Sequence, residues 1–315
     1  MSAVEIITII LALLGIGISI FIAKEQKDQV KELTLISKDT KETARKLKSD
    51  ARTREVISVF LGTADKSVGH YTCVFPIFWD QKPLPLITSG DYHAIQVIQN
   101  FLGAENVDLL TVTEKETVPI VSGNVIYLCS PQANIALESL APAVKVINNK
   151  CDEEPKFDNI LLPCWFGDAT IKDECSQCEK TIKTIWVPEQ NHVLRSPSDD
   201  AYINAAKLKK GAVYKDETIK RTDYSILMRL SINDNRIVVI AGIHQYGTWT
   251  CGDFFQKLIR EEIKEYSEVF MSQDDIVAVI WGEFSVKNFK TERCGVYEQY
   301  LWTRKNNDIW KRVQF

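Results

Sequence analysis

An uncharged run of 18 residues at positions 6–23, IITIILALLGIGISIFIA, constrains this chain more than any other feature. As a helix rising 1.5 Å per residue it reaches roughly 27 Å, close to the ~30 Å hydrocarbon core of a bilayer. A cleaved signal peptide needs a basic leader and a small-residue cleavage site. Here only the terminal amine and Glu5 precede the run, and Lys24, Glu25, Gln26 and Lys27 follow at once. A buried core helix is disfavoured, because so long an apolar run at a chain end has nothing nearby to pack on. The expectation is a single transmembrane helix over residues 1–24. The lysines that follow it place the rest of the chain in the cytoplasm, giving a single-pass protein of the cell membrane. Gly15, Ser19 and Ala23 recur every four residues, a spacing that lets two such helices approach closely.

Residues 25–55 contain no Gly and no Pro and are rich in Lys, Glu, Asp and Gln. Val30, Leu33, Ile36, Thr40, Ala44, Leu47 and Ala51 recur at spacings of three and four, a thin apolar stripe. This reads as a helical stalk, either a coiled coil or a solvated spacer. For the whole chain, 45% hydrophobic and 25% charged residues exclude wholesale disorder, a collagen repeat and a multi-span membrane protein. A net charge of −4 argues against a dedicated binder of nucleic-acid duplexes.

Residues 56–315 alternate short apolar runs with amphipathic stretches. Strands are expected at 71–78, 107–112, 124–129, 159–166, 182–187, 224–232, 236–241 and 276–284. Helices are expected at 91–102, 132–140, 199–209 and 250–267. Runs such as IVVIA and IVAVI are apolar without alternation, the pattern of strands buried on both faces of a parallel sheet. The expected fold class is therefore α/β: a Rossmann-like three-layer domain with a mostly parallel sheet.

Two strand-to-helix junctions carry the candidate ligand site. In the first, a hydrophobic strand ends at Ser130-Pro131 and a helix starts near Gln132. Ser130 suits an N-cap, Pro131 the first turn, and Asn134 can orient a ribose or a base edge. In the second, AGIHQYGT leads into a helix; Gly242 and Gly247 permit close backbone approach and positive φ, while His244, Tyr246 and Thr248 lie in the turn. It is neither a P-loop nor a GxGxxG fingerprint. Free N–H groups at helix starts attract anions, and ligands of open parallel sheets bind outside the carboxyl ends of the strands. If the two strands are neighbours, both helix starts face one crevice. The ligand-binding set is then Ser130, Gln132, Asn134, Gly242, His244, Tyr246, Gly247 and Thr248. Thr88-Ser89-Gly90-Asp91, a third helix start carrying His93, reads as a plain cap. Lys207, Lys209, Lys210, Lys220 and Arg221 form a basic stretch.

Cys151, Cys164, Cys175 and Cys178 fall within 28 residues, and Cys175 and Cys178 form a CxxC pair, a usual half of a zinc site. The other half is irregular, with His192 an alternative ligand, so a structural zinc competes with unlinked thiols in an insertion at 150–190. No GxSxG, HExxH or kinase signature is present. His244 with Asp253 or Glu283 is the acid–base pair to consider, and no catalytic residue is assigned.

The plan of residues 6–23, SPQAN at Ser130–Asn134 and AGIHQYGT at 241–248 resembles membrane-tethered nucleotide sensors of prokaryotic antiviral systems. In those a CARF-like or SLOG-like domain binds a nucleotide signal. The resemblance implies a sensor and effector that binds a nucleotide-like anion, forms homo-oligomers and perturbs the membrane. The alternatives are a tethered nucleotide-processing enzyme, of hydrolase or glycosidase type, and a non-catalytic scaffold.

Overall fold

A computed structural model describes residues 57, 59–61, 70–78, 87–113, 122–147, 150–151, 153–172, 179–196, 220–260, 262–270, 272–285, 288–305 and 308–314. The span expected at 6–23, the stalk at 25–55 and the helix at 199–209 lie outside them. Among the described residues no helix is long and apolar enough to cross a membrane, so the expected transmembrane helix is not found there.

Strands dominate what is described. The principal sheet is built from β1 (Tyr71–Pro76), β2 (Val107–Val112), β3 (Asn124–Leu128), β10 (Lys220–Ile232), β11 (Asn235–Gly242), β12 (Asp275–Ser285), β13 (Lys290–Arg304) and β14 (Lys311–Arg312). Its order is β14-β13-β12-β10-β11-β3-β1-β2. Only β2, β1, β3 and β11 run parallel to their neighbours; every pairing from β11 through β10, β12 and β13 to β14 is antiparallel. A second sheet joins β4 (Val144–Ile147), β7 (Trp165–Lys172), β8 (Glu179–Val187) and β9 (His192–Arg195). A short hairpin pairs β5 (Lys156–Phe157) with β6 (Ile160–Leu161).

The Rossmann-like, mostly parallel expectation is thereby corrected. Two-sided burial was read rightly, but it does not report strand direction. Along β12, Ile276, Ala278 and Ile280 enter one apolar cluster, while Val277 and Val279 enter another on the opposite face. The first face is covered by the helices α1 (Ser89–Leu102) and α3 (Gln245–Ile259), through Ile95, Ile98, Cys251, Phe254 and Phe255. The second is covered by a sheet, through Trp165, Phe166, Ile185, Val187 and Leu194, with the short helix α2 (Ile135–Leu140) beside it. A sheet lid hides a strand as completely as a helix layer does.

The switch to antiparallel pairing is made by a two-residue hairpin. Ile232 pairs with Asn235 across Asn233 and Asp234, whose φ angles of 49° and 64° are those of a type I′ turn. β12 and β13 also pair antiparallel, with register shifts that leave extra residues in β13.

Candidate functional site at the carboxyl edge of the parallel strands

The two junctions expected to share a crevice do lie on neighbouring strands. β3 and β11 are adjacent and parallel, with Leu128 opposite Ile240, so their carboxyl ends adjoin. Their helices then part. The residues of α2 pack on the face covered by the second sheet, and those of α3 on the opposite face.

At the first junction the helix starts at Ile135, three residues later than expected. Its N-cap is Asn134, not Ser130: Asn134 Oδ1 accepts from the Leu137 N–H at 3.2 Å. The amide nitrogen of Asn134 donates to the carbonyls of Leu128 (2.8 Å) and Val74 (3.2 Å), tying β3 to β1. Ser130 is 1% exposed, and its carbonyl accepts from Ala133 and Asn134 N–H. Both residues are therefore structural. Gln132, half-buried, donates to Asp168 Oδ1 at 3.2 Å. Cys129 adopts a positive φ of 71° as the chain leaves the strand.

The second junction contains an anion of its own. Asp223, in β10, is 1% exposed. Its Oδ2 accepts from the Gly247 N–H (2.7 Å) and the His244 N–H (3.1 Å), and Oδ1 from the Tyr224 N–H (2.9 Å). These are the amides expected to hold a ligand phosphate. Burial pushes the Asp223 carboxyl up to about 6, against the pull of His244 and the three N–H groups. The glycines serve the same closure. A Cβ on Gly242 would lie 2.3 Å from Thr248 N, and one on Gly247 would lie 2.5 Å from the Tyr224 carbonyl oxygen. Neither has a positive φ. They make room for the polypeptide rather than for a ligand. Thr248 is buried and accepts the Gly242 N–H at 3.0 Å. His244 and Tyr246 are half-buried, and the Tyr246 ring lies 4.9 Å from that of Phe284.

The third helix start, read from sequence as a plain cap, proves the more open to function. Thr88 caps α1, its Oγ1 accepting the Asp91 N–H at 3.1 Å and donating to Asp91 Oδ2 at 2.7 Å. Asp91 itself is 0% exposed. Its Oδ1 is buried and has no hydrogen-bond partner among the described residues. Burial pushes this carboxyl up to about 6, against the Thr88 hydrogen bond. Its charge adds to burial in raising the thiols of Cys73, in β1, and Cys129, just past β3. α1 and α3 start side by side: a Cβ on Gly90 would lie 2.0 Å from the Gln245 carbonyl oxygen. Ser89 Oγ donates to Gln245 Oε1 at 3.3 Å across that contact.

Of the two acids considered for His244, Asp253 is engaged elsewhere. Asp253 Oδ1 lies 2.7 Å from His93 Nε2, and the His93 ring stacks on Trp249 at 4.1 Å with 2° between planes. Burial raises the Asp253 carboxyl, but the charge and hydrogen bond of His93 outweigh it and hold it below its ordinary value.

Of the cysteines, Cys164 is 0% exposed in the core under the second sheet, where burial drives its thiol up. Cys151 donates to the Glu153 carbonyl at 3.1 Å, and His192 lies 2.9 Å from the Tyr300 hydroxyl. Cys175 and Cys178 lie outside the described residues, as do Lys207, Lys209 and Lys210. Among the described residues no three His, Cys, Asp or Glu side chains are grouped to hold a metal.

Sequence reasoning missed Asp91 and Asp223, although both had signals. Thr88-x-x-Asp91 is a capping box, and Asp223 is the lone acid opening the apolar run YSILM. No family model, curated protein or solved structure matches this chain.

Proposed function

We propose that residues 56–315 form a ligand-binding sensor domain that takes a nucleotide-like small molecule at the carboxyl edge of β1, β3 and β11. One observation carries the reading. Three strand ends and the starts of α1 and α3 adjoin there, half-buried or exposed polar side chains (Ser89, His244, Gln245 and Tyr246) lie on those two helix starts, and the first turn of α1 holds a carboxyl oxygen left without a partner. Buried polar atoms are almost always satisfied, so an orphan at a helix start beside strand ends points to a ligand or an ordered water. The resemblance to antiviral nucleotide sensors supplies the action: binding promotes homo-oligomerisation.

The test is a thermal-shift and calorimetry panel of nucleotides on the full chain, with the products analysed afterwards. Retained, unaltered ligand with a rise in melting temperature and a larger assembly is the expected result. Conversion of the nucleotide would replace the sensor by an enzyme. No shift with any nucleotide would remove the reading.

A further inference from the structure

Resting on the ligand-binding reading above, we infer that Asp91 is the residue that receives the ligand, and that it takes an uncharged hydrogen-bond donor of the nucleotide, a sugar hydroxyl or a base amine, rather than its phosphate.

Three backbone donors of this edge are engaged. The Gly247 and His244 amides at the start of α3 bind Asp223, and the Asp91 amide at the start of α1 binds Thr88. The buried atom left unpartnered at the start of α1 is an acceptor. Asp91 Oδ2 is held by Thr88, while Oδ1, buried with the rest of the side chain, has no partner among the described residues. A phosphate placed there would meet the buried Asp91 carboxyl, and like charges repel most strongly where water is excluded. A hydroxyl or an amine instead supplies the missing donor, and a hydrogen bond to a charged group contributes more than one between neutral groups. Ser89 and Gln245, bonded to each other beside Gly90, sit at the mouth of the same helix pair and offer a hydroxyl and an amide to the rest of such a ligand.

The experiment uses the unaltered full chain with adenosine monophosphate, its 2′-deoxy and 3′-deoxy forms, inosine monophosphate, which lacks the base amine, and inorganic phosphate. One of the three analogues should bind about 10- to 100-fold more weakly than the parent, identifying the donor, and phosphate should not compete. D91N should weaken the parent by a similar factor and lose the discrimination, with its melting temperature recorded to confirm folding. Equal binding of parent and all analogues, or competition by phosphate, overturns the assignment without need of the variant. If D91N keeps both affinity and discrimination, only Asp91 is displaced and the sensor reading stands. If nothing in the panel binds the unaltered chain, the sensor reading fails and the assignment with it.

Discussion

The two ends of the principal sheet treat buried charge in opposite ways. At the end where β11 begins, the buried charges are tied down by several hydrogen bonds each. Asp275 accepts two hydrogen bonds from Arg304 (2.6 and 3.2 Å) and one from the Ser231 N–H at 2.7 Å. Arg229, 0% exposed, donates to the carbonyls of Phe270, Ser272 and Asp274, and burial lowers it to about 9. Arg236 donates to Ser231 and Gln273. At the end where β11 finishes, Asp223 is held by amides and Asp91 by one hydroxyl. The first end is a clamp, with cations pinning the chain that leads into β12. The second buries two acids whose carboxyls burial pushes up, an arrangement that stability alone does not favour.

The comparison breaks most visibly at the clamp. Asp275→Ala leaves the Arg304 guanidinium buried without its carboxylate and should cost about 3–5 kcal/mol, read as the midpoint of urea unfolding. An unchanged midpoint would mean that this network is as dispensable as a surface ion pair.

At the other end the sign reverses. The Asp91 carboxyl sits at about 6 in the folded chain against 3.8 ordinarily, so the folded state holds its proton more tightly than the unfolded state does. Its contribution is fully present below pH 3.8 and is lost as pH rises through about 6. Asp223 adds a dependence of the same sign. D91N should therefore flatten the gain in stability seen between pH 7 and pH 4, and at pH 7 should be more stable than the parent by about 2–3 kcal/mol. Parallel pH–stability curves for the two proteins would show that Asp91 is not strained.

The smallest effect concerns the hairpin that separates the parallel and antiparallel halves. Asp234 holds a φ of 64°, which glycine adopts without cost. Asp234→Gly should raise stability by about 0.5 kcal/mol in the same unfolding assay, leaving ligand binding at the far end unaltered.

Much of the strand pattern was legible because apolar runs report burial. β2 was read to the residue, and β10, β11 and β12 to within a few. The direction of those strands was not, since Val277 and Val279 look the same beneath a sheet as beneath a helix. Asn233-Asp234 was the one local clue to a reversal, and it went unread. β13 was also missed: its YEQYLWTR carries polar residues between aromatic ones. At the site, the adjacency of β3 and β11 stood in the sequence only as a condition, which the parallel pairing of the two strands meets. That a carboxylate from β10 fills the second turn could not follow, because Asp223 comes into place through a pairing of Ser225 with Gly242 that only the antiparallel topology creates. Ser130 and Asn134, just past β3, and Thr248, inside the first turn of α3, bond the backbone.

The contact between Gly90 and the Gln245 carbonyl has a mechanical consequence. With 2.0 Å available where a methyl group would have to fit, no side chain larger than hydrogen can stand between the two helices. Their first turns are thus braced against each other. A push on the exposed Gln245 side chain is borne by the whole 14-residue length of α1, so an event at the mouth of the cleft is delivered as a shift of a rod rather than the ripple of a loop.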